Sequence, residues 1–292
     1  LIIHPVVRPA DFKDHQQISN LIFFETRLHR HMDWRSPLEL LGSPFYWALE
    51  EDGQVIAALA CAPEAKGISW VRLFVYAGRW DAHQAWNMLW STTKEEIARS
   101  GSAMVAAIAM HPWFQNVLSA SGFKTYQHIV MLEWRGFASS PWNQVEANGI
   151  RIRKMTEADL PEVEKTDIAS FTLLWQNPLD TLRRAYSQTL FATVAEDESG
   201  IVGYQLTTGG RTHAHLARLA VRPSAQGRGA GRTLLVELFT RLAQMGVTRL
   251  TVNTQSDNDA SLGLYQKMGF VRTGEQYPVY TLEVPSTPEE DK

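Results

Sequence analysis

The chain has 292 residues, 45% of them hydrophobic, with 28 Lys and Arg against 31 Asp and Glu. That length favours two domain cores over one, and no stretch approaches the ~20 apolar residues of a membrane-spanning helix. Residues 1–150 carry 12 basic against 14 acidic groups and residues 151–292 carry 16 against 17, so neither half has the cationic excess that grips nucleic acid; no nucleic-acid or membrane partner is expected.

The opening Leu1-Ile2-Ile3-His4 is too short for a secretory signal, and a cytoplasmic location is the expectation. Ile56-Ala57-Ala58-Leu59-Ala60-Cys61 predicts a buried strand ending on the single cysteine. One cysteine excludes internal disulfides and cysteine-rich metal sites, so Cys61 is assigned no catalytic role and no metal is expected. The next strand, Leu73-Phe74-Val75-Tyr76, runs into Ala77-Gly78-Arg79-Trp80-Asp81-Ala82-His83. Nine of the ten tryptophans fall in this half, either as packing or as an aromatic acceptor or dimer surface; a homodimer is left open. Small and turn-forming residues interrupt the pattern at Phe137-Ala138-Ser139-Ser140-Pro141-Trp142-Asn143, which reads as a seam.

A new strand opens at Ile150-Arg151-Ile152-Arg153. Helical spacing predicts helices over 157–169 and 178–186, and alternation predicts a strand pair over 191–195 and 201–206. Thr208-Gly209-Gly210-Arg211 turns the chain into a strand ending at Val221. A helix over 232–245 follows, stopped by Gly246 as a left-handed cap, then a strand over 247–253. Landmarks recur about 147 residues apart: Ala10-Asp11 with Ala158-Asp159, Glu51-Asp52-Gly53 with Glu198-Ser199-Gly200, and Gly122-Phe123 with Gly269-Phe270. The chain therefore reads as two copies: a domain over 1–140, a linker over 141–150, a domain over 151–285 and a tail over 286–292.

Between the strand ending at Val221 and its helix lies Gln226-Gly227-Arg228-Gly229-Ala230-Gly231. Bare glycines that accept positive φ let successive N–H groups converge on an anion where a helix N-terminus adds its dipole, so a phosphate fits there. A Walker loop is excluded by the missing Gly-Lys-Ser/Thr ending. A dinucleotide fingerprint is excluded by Arg232 at its third glycine position.

Gln226-x-x-Gly229-x-Gly231 after Leu219-Ala220-Val221-Arg222-Pro223 resembles motif A of the GNAT N-acetyltransferases, and Asn258 to Phe270, with Tyr265 seven residues after Asn258, resembles their motif B. The two-copy arrangement is similar to the mycothiol synthases, and the C-terminal motifs to the ribosomal-protein N-acetyltransferase branch. The resemblance implies an α/β fold of two tandem GNAT-like domains, each a mixed, mostly antiparallel sheet flanked by helices. It implies acetyl-CoA as co-substrate and transfer of an acetyl group to a primary amine of a small molecule or peptide. Backbone N–H groups of Gln226, Gly227, Arg228, Gly229, Ala230 and Gly231 would hold the pyrophosphate, with charge from Arg228 or Arg232. Edge groups of Leu219, Ala220 and Val221 would pair with pantetheine where two strands splay, and Asn258 would bond the pantetheine arm or cap its own helix. The first half, with one glycine and an indole in its loop, reads as a degenerate copy.

Transfer to an amine needs a base for the ammonium proton and an acid for the departing thiolate. The resemblance makes Tyr265 the acid, its competing role being core packing. The ribosomal-protein branch has its glutamate base where this chain has Asn253. The histone-acetylating branch has one where this chain has His215, and an imidazole of pKa about 6.5 is a suitable base. Strand alternation places His213, His215, Ala217, Leu219 and Val221 on one face, making His213 a second candidate. The absent glutamate also keeps open a non-catalytic acyl-CoA sensor or scaffold. Acceptor choice is assigned to the early helices, Thr166 to Tyr186.

Overall fold

The structure is a computed structural model and describes residues 5–32, 34–64, 67–101, 103–136 and 149–286. In chain order its elements are β1 (Val6–Pro9), α1 (His15–Phe24), β2 (Leu28–Arg30), β3 (Tyr46–Glu51), β4 (Gln54–Ala60), β5 (Ile68–Trp70), β6 (Leu73–Tyr76), α2 (Ala82–Arg99), β7 (Ala103–Ile108), α3 (Pro112–Ala120), β8 (Lys124–Arg135), β9 (Arg151–Lys154), α4 (Leu160–Ser170), α5 (Leu179–Ser187), β10 (Phe191–Asp197), β11 (Gly200–Gly209), β12 (His213–Val221), α6 (Ala230–Gln244), β13 (Arg249–Gln255), α7 (Asp259–Lys267) and β14 (Val271–Val284). They form two compact units, residues 1–128 with 277–292 and residues 129–276. The expected seam at 137–143 lies outside the described residues. The units differ from a division at 140–150 because two strand segments change places: Ile129–Arg135 belongs with the second unit and Tyr277–Val284 with the first.

The second unit is a mixed, mostly antiparallel sheet in the order β9-β10-β11-β12-β13-β8. Its one parallel pair among these strands is β12 with β13, and residues 129–135 of β8 close the edge by pairing with β13 from end to end. Apolar residues of α6 at helical spacing, Leu235, Leu238, Phe239 and Leu242, pack on Leu216, Leu250 and Val252 of the sheet. Trp134 stacks on Phe239 at 4.5 Å. Gly246 takes φ 72°, ending α6 as its sequence requires.

The first unit has the antiparallel order β1-β3-β4-β6-β2, together with β7 between parallel β5 and the antiparallel Val279–Val284 segment. Its core centres on Trp86, which meets Phe74 edge-on at 5.0 Å, stacks with Trp90 at 5.5 Å, and donates its Nε1–H to Ser121 Oγ at 2.8 Å. Trp47, Trp80 and Trp113 pack partly buried against the same cluster, so these tryptophans are packing residues. Cys61 is fully buried, and desolvation pushes its thiol up to about 12, which keeps it protonated and unreactive.

The duplication is visible in detail. Arg8 makes a fork to both carboxylate oxygens of Asp14 and a bond to Glu50. Arg153 does the same with Asp159 and Glu196. Each Glu follows a bulge in the first hairpin of its unit. Asp159 therefore corresponds to Asp14, three residues away from the Ala10-Asp11 match drawn on sequence. Pairings of β5 with β7 and of β12 with β13 superpose in register: Ile68 opposite Met104 and Trp70 opposite Ala106, then His213 opposite Arg249 and His215 opposite Thr251.

Candidate active site

In the second unit β12 pairs with β11 along its length, but with β13 only from His213 to Leu216. Beyond Leu216 the β13-side edge of β12 has no strand partner among the described residues, so the two strands splay where the resemblance requires it. A bulge marks the opening: Leu206 faces Arg218 and Thr207 faces Leu216, leaving Ala217 unopposed. The extra residue overturns the strict alternation expected from sequence. Ala214 and Leu216 join the α6 core, and beyond the bulge Leu219 and Val221 pack toward that same side. His215 and Arg218 consequently lie on the opposite face, and His213 shares the face of His215.

The loop after Val221 ends in the α6 N-terminus. Gly227 and Gly229 hold φ 75° and 92°, a region where a side chain would be strained. The first bond of α6 runs from Thr233 N–H to Gly229 O at 2.9 Å, and Gly229 offers no side-chain cap, so the N–H groups just before it lack a helical acceptor. Ala230 is buried, and a Cβ on Gly231 would stand 3.0 Å from Leu264 Cδ2 of α7, so the bare residue admits close helix approach. Gln226 is exposed and folds back on the strand end, donating from Nε2 to Val221 O at 3.0 Å. Arg228 bonds Asp197 at 2.7 Å; bonds from Ser199 and then from Arg228 hold the Asp197 carboxyl down at about 2. Arg232 is exposed.

Tyr265 of α7 is 4% exposed and lies in the α6 core beside Phe270. Burial raises its phenol above the usual value, and no hydrogen bond to its hydroxyl exists among the described residues. Asn258 caps α7: its Oδ1 accepts from Ser261 N–H at 3.1 Å, and its Nδ2 donates to Gln255 Oε1 at 3.3 Å. Of its two expected roles the cap is the one made here.

His215 occupies the last face-sharing position before the splay, 2.9 Å through Nδ1 from Thr251 Oγ1. Thr251 Oγ1 also lies 3.4 Å from Ala214 O; when its hydroxyl donates there, its oxygen accepts from His215 Nδ1–H, and in that tautomer Nε2 carries the lone pair. Desolvation lowers the His215 pKa, opposed by a side-chain bond to Asn253. His213 is exposed, and its ring Nδ1 lies 3.2 Å from Thr212 Oγ1.

One group was missed on sequence. Asp167 of α4 is fully buried and receives Arg218 Nε and Nη2 at 2.8 Å each, the Tyr204 hydroxyl, and Asn177 N–H at 2.8 Å. Arg218 also donates to Trp175 O at 2.6 Å and lies 3.5 Å over the Phe171 ring. The connection from α4 to α5 is thus fastened to β12 one residue past the bulge. An arginine between the apolar pairs Leu216-Ala217 and Leu219-Ala220 was the available signal.

Residues 156–270 match the family model described as Acetyltransferase (GNAT) family. The chain is 31% identical over 99 residues to the mycothiol acetyltransferase of Amycolatopsis mediterranei (31% of this chain, 33% of that protein). It is 52% identical over 56 residues to the N-alpha-acetyltransferase RimI of Mycobacterium tuberculosis (19% of this chain, 34% of that protein). The matches thus span about a third of these curated relatives. A tandem GNAT protein from the clavulanic acid biosynthesis pathway superposes with TM-score 0.68 at 13% identity, over 97% of this chain and all of that one. No helix among the described residues is long and apolar enough to cross a membrane. Residues 156–270 of the second copy thus match the acetyltransferase (GNAT) family, and the whole chain shares the two-copy fold of a tandem GNAT structure.

Proposed function

We propose that the second unit transfers the acetyl group of acetyl-CoA to a primary amine of a small molecule or peptide by direct attack. The observation that carries this reading is the unpaired edge of β12, continuous from the bulge at Ala217 to the uncapped α6 N-terminus. It offers peptide groups to the pantetheine amides, and of the expected N–H groups from Gln226 to Gly231 those from Gly227 onward offer donors to the pyrophosphate, Gln226 N–H being held by Pro223 O at 3.3 Å. The acetyl carbonyl then reaches the bulge, with Tyr265 and His215 on opposite sides of the sheet.

His215 Nε2 takes a proton from the bound ammonium, and the freed amine nitrogen attacks the thioester carbon. The nitrogen of the tetrahedral intermediate gives up its second proton to solvent, the intermediate collapses with cleavage of the C–S bond, and the Tyr265 hydroxyl protonates the CoA thiolate and regains its proton from solvent. A phenol held above its normal pKa stays protonated until that thiolate forms. The lowered pKa of His215 keeps its base form available below about pH 6.5.

CoA release with a panel of aminosugars, polyamines, amino acids and peptide N-termini tests the assignment; acetyl-CoA binding with no turnover on any amine would favour the sensor. On the true acceptor, His215→Ala is expected to lower kcat by about 10²–10⁴; a variant kcat equal to that of the natural chain at every pH from about 6 to 9 would remove His215 as the base. Gly229→Trp forces a bulky residue into positive φ at the phosphate position. Calorimetry should show loss of acetyl-CoA binding with the circular dichroism preserved, and retained affinity would refute the pyrophosphate assignment.

A further inference from the structure

Within the first unit, β5 and β6 occupy the register of β12, and the edge left open in the second unit is filled. Leu28, His29 and Arg30 of β2 pair with Val75, Phe74 and Leu73 of β6, and His31 N–H continues the ladder to Arg72 O at 3.0 Å. By register, Leu73 to Tyr76 stand where Arg218 to Val221 stand. His29 is 1% exposed; its ring stacks on Phe114 of α3 at 4.1 Å, and its Nε2–H donates to Val71 O at 2.9 Å.

The phosphate end is closed as well. The loop between β6 and α2 spans residues 77–81, three shorter than 222–229 between β12 and α6. Glu25 Oε2 accepts from Gly78 N–H in that loop at 3.0 Å. Asp81 caps α2, its Oδ1 accepting from Gln84 N–H at 3.0 Å. Carboxylates thus sit on a loop donor and on a helix N-terminus, the two places where an anionic ligand is favoured.

We propose that residues 25–31 follow in the first unit the path acetyl-CoA takes in the second. The Glu25 and Asp81 carboxylates stand in for phosphate, and the β2 backbone stands in for the pantetheine arm. The first unit is therefore a self-filled copy that binds no CoA, and the chain has one cofactor site. This rests on the cofactor path proposed above for β12.

Hydrogen exchange of the full chain, with and without saturating acetyl-CoA, tests it alongside calorimetric stoichiometry. Expected are one acetyl-CoA per chain, ligand-induced slowing confined to the second unit around 217–233 and 258–265, and slow exchange at 28–31 and 72–76 that is already present without ligand and unchanged by it. A second site per chain, or ligand-induced change at 25–31 or 72–82, would overturn the proposal, as would unprotected amides at 28–31. No binding at all would instead defeat the cofactor path in the second unit, while ligand-free protection of 28–31 would still report whether β2 fills its edge.

Discussion

Arg218 and Asp167 show how much one pair can decide. Asp167 sits in a fully buried position and is tolerable there because Arg218 and Tyr204 both donate to it. Burial and the adjoining carboxylate hold the Tyr204 phenol well above its usual value, so it remains a donor. Arg218→Met leaves a charge without its partner and is expected to destabilise the second unit by about 3–5 kcal/mol. Adding Asp167→Leu should recover part of that loss; urea midpoints for the single and double variants check both. The positive φ of Gly227 and Gly229 could be read from sequence because it follows from local steric freedom. The Arg218–Asp167 pair could not: 51 residues separate the partners, and pairing at that range leaves no local pattern. The bulge at Ala217 was hidden for the same reason, since Ala214 to Val221 alternates acceptably in either register.

Among elements, β2 shows how stability comes to depend on protonation. Desolvation holds His29 at about 4, below its ordinary 6.5, against a raising bond to Val71. The unfolded chain therefore takes up this proton first as pH falls. The stabilisation is complete above pH 6.5 and is lost as pH falls from 6.5 through 4, by at most about 3 kcal/mol. His29→Gln keeps a donor for Val71 O but does not titrate, so the slope of urea midpoint against pH over that window should flatten. An unaltered slope would mean that other groups set it. The helices and hairpins of the second half follow their predicted spans because periodicity and caps are local signals. Strand β2 was not anticipated: three residues, Leu28–Arg30, are too few to show a period, and what holds them is the edge of a strand more than forty positions on.

At the scale of the molecule, the units are made from non-contiguous sequence. Val130 and Leu132 of β8 are buried in the core of the second unit, each contributing about 1.5–3 kcal/mol, which is large against a domain's total of about 5–15. A fragment 151–285 lacks them and leaves the β13 edge unpaired. It is expected to show no cooperative thermal transition by circular dichroism, whereas 129–276 should show one. Equal transitions would argue that the division near 140–150 describes independent folding units. Sequence repeats located the two copies, but a swap of equivalent strands conserves pattern in both and so is silent in the pattern.

That swap also sets a clock on synthesis. Ala103–Ile108 waits for a partner, Val279–Val284, that emerges from the ribosome only after the whole second unit has been translated. The second unit takes its early-made strand, Ile129–Arg135, and can finish first. The amino-terminal unit is thus the last to close, and until then its β7 edge is open to pairing with another nascent chain, the period in which a chaperone has most to protect.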